Sequence, residues 1–163
     1  MCFIANQDAK RDLWLSQLAE AGLMPTVYGN YFLQHPMFWN NPLHFRPAVA
    51  TRAMGAVYAR YQVALNIHAQ VVREGTNMRS FECAGYGIPQ LVERRPGLER
   101  LFDPDSEILM FSTVEECVAQ FERLAGDARL AARLAENARR RVLAEHTYRQ
   151  RATAMLQGLV AFN

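Results

Sequence analysis

A chain of 163 residues, half of them hydrophobic and 21% charged, has the length of one domain with a real core and the balance of an ordinary globular protein. A net charge of +2 supplies no concentrated basic footprint for nucleic acid, and no apolar run approaches the ~20 residues of a membrane span. The three cysteines form no CxxC pair and the four histidines are scattered, so neither a disulfide framework nor a zinc site is indicated; Cys2, Cys83 and Cys117 read as buried thiols of a cytoplasmic domain.

In chain order, "MCFIA" is a short apolar run suited to a buried strand. Trp14, Leu15, Leu18 and Ala21 then recur at helical spacing, with Gly22 as the C-terminal stop, and "PTVYG" reads as a second strand. A strand, a helix and a strand in this order predict a βαβ unit and a parallel sheet. Residues 31 to 47, rich in proline and aromatics, predict a long loop folded onto the core with some strand near His44 to Arg46. Met54, Val57, Tyr58 and Tyr61 fit a helix, "QVALNIH" (62 to 68) a strand, "PQLVE" (89 to 93) and "EILMFS" (107 to 112) two more, with a helical turn at "PGLERLF". Ser112 and Glu115 have capping-box spacing for a helix that Gly126 stops. Asp127 caps a helix reaching about Glu145, and Thr147 with Gln150 opens a terminal one to about Val160. The alternation predicts an α/β domain, a Rossmann-like doubly wound parallel sheet flanked by helices.

One segment departs from this plain pattern: "REGTNMRSFECAGYGIP", residues 73 to 89. It follows the strand at 62 to 68, and a helix is predicted to start near Asn77 or Met78. In doubly wound sheets ligands bind beyond the carboxyl ends of strands, where helix starts offer unpaired N–H groups and the positive end of the dipole. Gly75 permits close backbone approach to a phosphate, and Arg79 adds a charge suited to its oxygens. Glu74 and Glu82 would repel a bare anion. They make sense if the anion is the middle of a longer ligand with hydroxyls at both ends, because carboxylates accept strongly from sugar hydroxyls. A nucleotide sugar has that form. Spacing alone is not the signal, since 99/107 and 107/115 repeat it; the flanking Gly75 and "AGYGIP" set 74/82 apart.

"EGTNMRSFECAGYGIPQLV" resembles the glutamate-x7-glutamate segment of GT-B glycosyltransferases of the group 1 (family 4) type, and "GTNMRSFE" is most similar to their CgeB-like, spore-maturation-protein branch. The similarity continues through "VYARYQVALNIH", "PGLERLFDPDSEI" and "RRRVLAEHTYRQR". The resemblance implies that residues 1–163 form the C-terminal, donor-binding domain and that the N-terminal, acceptor-binding domain is absent from this chain, to be supplied by further sequence or a partner chain. It implies donor-sugar contacts for Glu74, ribose contacts for Glu82, and diphosphate contacts for the backbone of Thr76, Asn77 and Met78 after Gly75. Arg79 would stabilise the diphosphate as it leaves. No metal and no cofactor beyond the nucleotide-sugar donor are implied. The family's first βα loop usually carries an arginine and, five positions on, a lysine; here the loop reads "ANQDAKR", with Asn6 near the first position and Lys10 or Arg11 near the second. Retaining transfer is expected, with little activity from the chain alone.

Other readings remain beside this one. A non-catalytic interaction or regulatory module on the same fold accounts for Asn6 and for the aromatic loop containing Phe38 and Trp39. A nicotinamide dehydrogenase is excluded, because "ANQDAKR" holds no glycine. His68, ending a strand at the pocket edge, is a candidate donor-site hydrogen-bonding group and otherwise a structural histidine. An exposed interdomain face would also favour homo-oligomers.

Overall fold

The computed structural model of the protein describes residues 1–30 and 36–160. Six strands form one parallel sheet: β1 (Cys2–Ile4), β2 (Thr26–Tyr28), β3 (Phe45–Arg46), β4 (Ala64–Asn66), β5 (Gln90–Glu93) and β6 (Leu109–Phe111). Their spatial order is β3-β2-β1-β4-β5-β6, so the chain winds outward from β1 to β3 and then returns to lay β4 on the other side of β1. The strand order reverses between β1 and β4, which is where this architecture opens a crevice. Among the described residues seven α-helices flank the sheet: α1 (Ala9–Glu20), α2 (Pro36–Asn40), α3 (Met54–Tyr58), α4 (Met78–Tyr86), α5 (Val114–Gly126), α6 (Ala128–Glu145) and α7 (Tyr148–Val160).

Both faces of the sheet are covered, so β1, β4, β5 and β6 are buried at every residue and show no polar alternation. Alternate residues still go to opposite sides. Phe3, Val27, Leu65, Leu91, Leu109 and Phe111 pack with Leu15 and Leu18 of α1 and Cys117 and Leu124 of α5. On the other face Cys2, Ile4 and Ala64 meet Met54 and Tyr58 of α3 and Cys83 of α4, while Val92 and Met110 meet Ala84 of α4 and Ala138 and Val142 of α6. Each large side chain removed from water on these faces contributes roughly 1.5–3 kcal/mol.

The predicted strands and helices form in the predicted order, with differences at the edges. The loop between β2 and β4 contains the short helix α2 before β3; Tyr31 and Phe32 of that aromatic stretch lie outside the described residues. The helix predicted through Tyr61 ends at Tyr58. The capping box of α5 sits one residue later than Ser112 and Glu115: the Thr113 hydroxyl accepts from the Glu116 amide at 3.2 Å, and the Glu116 carboxylate accepts from the Ser112 amide at 2.6 Å. Thr113 has the extended backbone that an N-cap residue needs. Asp127 caps α6 as expected, accepting from the amides of Arg129 and Leu130. In α7, residues 151 to 158 are all exposed, Met155 and Leu156 among them.

Candidate functional site

Helix α4 begins beside the switch point, and its start is built differently from those of α1, α5 and α6. Asn77 has the extended backbone of an N-cap residue (φ −89°, ψ 169°), yet no side-chain cap bond forms. Its amide is instead paired with Asn66, at the end of β4 and 1% exposed. Asn66 Nδ2 donates to Asn77 Oδ1 at 3.1 Å and to Ser80 Oγ at 2.8 Å, while Asn77 Nδ2 donates back to Asn66 Oδ1 at 2.9 Å. The hydroxyls of Thr76 and Ser80 lie 2.6 Å apart, and Thr76 Oγ1 lies 3.1 Å from His68 Nε2. Gln90 Nε2 holds the Ser80 carbonyl from β5 at 3.0 Å. A continuous hydrogen-bonded chain thus anchors the loop and first turn from beneath, while no side chain caps the helix start. Gly75, at φ +71°, turns the loop into this position and donates its amide to the Pro96 carbonyl at 2.8 Å; a side chain would be strained there.

Two cavities flank this helix start. A cleft of ≈ 300 Å³ lies at the switch point, bounded by Asn6 and Arg11 from the first βα segment, Thr51 and Met54, and the α4 residues Arg79 and Glu82. A larger, mostly apolar cavity of ≈ 430 Å³ lies on the other side of α4, bounded by Met78, Phe81, His146, Tyr148 and Arg151. The Arg151 guanidinium sits over the Phe81 ring, 4.7 Å from its centre. Glu82 borders both cavities. Its carboxylate is partly exposed and pairs with Arg79 at 2.7 Å.

A second charge cluster lies under the loop. Glu93, at the end of β5, accepts from Lys10 Nζ at 2.6 Å and from the His68 backbone amide at 3.0 Å, and its other oxygen meets Arg95 at 3.2 Å. Burial alone would raise the Glu93 pKa; hydrogen bonds from His68 and Lys10 overcome it and hold the carboxyl down at about 2. Two full cations share this one carboxylate. Lys10 also reaches the His68 carbonyl at 3.4 Å, whereas Arg11 donates to the carbonyls of Ile67 (2.9 Å) and Asn6 (3.1 Å).

The fold therefore sorts the residues singled out in the sequence into three places. Asn6, Arg11, Asn77, Met78, Arg79 and Glu82 border the switch-point cleft. Lys10, His68 and Thr76 belong to the network beneath it, so of the two candidates near the family's lysine position Arg11 borders the cleft and Lys10 faces Glu93. Glu74 stands on the exposed turn before Gly75 and borders neither cavity. Asn66, Ser80, Glu93 and Arg95 carry no sequence signal of their own; they matter through contacts across the sheet. The thiols of Cys2, Cys83 and Cys117 are buried, and burial pushes each up to about 12, as packed rather than reactive groups. Among the described residues no group of three or more His, Cys, Asp or Glu is placed to hold a metal ion, and no helix is long and apolar enough to cross a membrane.

The family described as glycosyl transferase-like matches residues 10–157. No curated protein matches significantly. Among solved structures, sucrose-phosphate synthase from Thermosynechococcus elongatus superposes with a TM-score of 0.73 at 13% identity, over 99% of this chain and 46% of that one. HepE of Anabaena, solved in complex with UDP and glucose, gives 0.73 at 13% identity over 98% and 47%. The C-terminal domain of a group 1 family glycosyl transferase from Francisella tularensis gives 0.63 at 10% identity over 90% and 86%. The chain thus spans about half of the two longer proteins and most of the isolated C-terminal domain.

Proposed function

The chain belongs to the glycosyl transferase-like family, and we propose that it is the donor-binding, C-terminal domain of a GT-B glycosyltransferase, taking a nucleoside-diphosphate sugar. One observation carries the reading: uncapped amides at the start of α4, the Arg11 side and the Glu82 carboxylate border one cleft at the topological switch point. In this reading the diphosphate lies on the backbone of Thr76, Asn77 and Met78, and Glu82 accepts from the ribose hydroxyls once the ligand competes with Arg79. Glu74, on its exposed turn, accepts from the donor sugar. HepE, a protein of the same fold, is the precedent for a uridine nucleotide.

Chemically, the domain's task is to stabilise negative charge on the departing diphosphate as the sugar–phosphate bond breaks. Preoriented amides, the helix dipole, Arg11 and Arg79 supply that field, and Lys10 adds to it from beneath through its position beside Glu93. The oxocarbenium-like sugar is then captured by an acceptor held by a second domain, with retention of configuration. We place this chemistry in the CgeB-like branch, in the cytoplasm, without a metal. Titration calorimetry with UDP and GDP tests the proposal: measurable binding at millimolar ligand, weakened in Glu82→Ala, supports it, and absence of binding to the wild-type chain overturns it.

A second reading is a binding module that keeps the fold without transfer. It is favoured by Asn6 where the family usually has arginine, and by Trp39, 65% exposed beside Phe38 on the β2–β4 connection. A partner protein that buries Trp39, together with nucleotide binding but no transfer in the assembled protein, would support it over the enzyme.

A further inference from the structure

We infer that Asn66 is a positioning residue that holds the Asn77 side chain away from the first turn of α4 and so keeps its oxygen from competing with the diphosphate that lies on the backbone of Thr76, Asn77 and Met78. The inference rests on the donor-binding reading and adds a device that governs the strength of that site.

Asparagine is among the strongest N-cap residues, and its side-chain oxygen ordinarily accepts from the second or third amide of the helix. The other long helices here follow that rule: Asp8 accepts from Lys10, Thr113 from Glu116, and Asp127 from both Arg129 and Leu130. Asn77 has the backbone of a cap and breaks the rule, because its Oδ1 accepts from Asn66 Nδ2 at 3.1 Å. The return bond from Asn77 Nδ2 to Asn66 Oδ1, at 2.9 Å, fixes the amide plane, so rotation toward the helix would break two bonds at once. Asn66 is itself locked: it is 1% exposed and donates to Ser80 Oγ at 2.8 Å. A buried polar group that leaves β4 to satisfy a cap residue has no purpose in the sheet, where an apolar residue would pack more simply. Its effect is to leave the first turn without a side-chain cap beside a cleft bordered by Arg11 and Arg79, the Ser80 amide reaching only the Asn77 carbonyl at 3.4 Å. A capped helix start would place the Asn77 oxygen at the first turn, in competition with the neighbouring diphosphate.

The device makes opposite predictions for two substitutions that differ by one hydroxyl. Both Asn77→Ser and Asn77→Ala abolish the pairing with Asn66, but only serine can cap the helix. UDP binding to the 163-residue chain, measured by titration calorimetry alongside thermal melting, should be about fivefold weaker in Asn77→Ser than in Asn77→Ala, the competition that a cap of ordinary strength offers. Asn77→Ser should also melt at the higher temperature of the two. Asn66→Ala, which frees Asn77 to cap, should weaken UDP about as much as Asn77→Ser, and adding Asn77→Ala to it should restore affinity to within about twofold of Asn77→Ala alone. If Asn66→Ala does not fold, the serine–alanine pair at position 77 decides. Equal affinities of those two variants, or weaker binding by alanine, overturn the inference while leaving the donor site intact. No UDP binding by the wild-type chain overturns the donor reading on which it stands.

Discussion

Glu93 ends strand β5 and Glu82 stands on helix α4 at the switch-point cleft, and the two carboxylates are used in opposite ways. Glu93 is nearly buried and holds Lys10, Arg95 and the His68 amide around it; Glu82 is partly open, held by one arginine, and borders both cavities. A buried charge must be matched within the fold, whereas a partly solvated one can exchange its partner for a ligand at little cost. The difference teaches that the acid with the strongest contacts is the scaffold, and the acid with the weaker ones is available for binding.

The largest effect should come from breaking the scaffold. Glu93→Gln leaves Lys10 and Arg95 without their counter-charge and should cost about 3 kcal/mol, a fall in Tm of about 6–12 °C by calorimetry. An unchanged melting temperature would erase the distinction drawn between the two acids. Acid should act through the same group. The folded-state pKa of Glu93 lies below its ordinary value of 4.5, at about 2, so its contribution is full above pH 4.5 and is lost as the pH falls toward 2. Urea unfolding across that window should show a loss of stability that is smaller in Glu93→Gln; identical pH profiles would contradict the assignment.

Replacing the open acid should spare the fold. Glu82→Ala should melt within about 1 °C of wild type, because a pair this exposed contributes little, and yet bind UDP roughly tenfold more weakly through loss of a charged hydrogen-bond acceptor. The smallest effect is expected at Glu74. Glu74→Ala should leave both Tm and UDP affinity unchanged within error and reduce only the difference in affinity between a UDP-sugar and UDP, read by calorimetry with both ligands.

The architecture was largely legible because its signals are local. Apolar runs such as "MCFIA" and "PQLVE" became strands, and Asp127 and Thr147 opened the helices they were expected to open. The α5 cap moved by one residue because Ser112–Glu115 and Thr113–Glu116 satisfy the same spacing, and only backbone geometry chooses between them. The start of α4 was legible too, from Gly75 and the residues after it. The ion cluster was not. Lys10 opens helix α1 and Glu93 ends strand β5, joined only when β1, β4 and β5 align, so no spacing along the chain announces them. Asn66 was hidden for the same reason: an asparagine inside an apolar run has no readable role until the residue it holds is seen across the sheet.

The most direct test is a crystal structure of the chain soaked with UDP. The account predicts the diphosphate on the amides of Thr76, Asn77 and Met78, Asn77 still paired with Asn66, and the ribose hydroxyls on Glu82 with Arg79 displaced from it. UDP bound elsewhere, or a ribose held without Glu82, would contradict it.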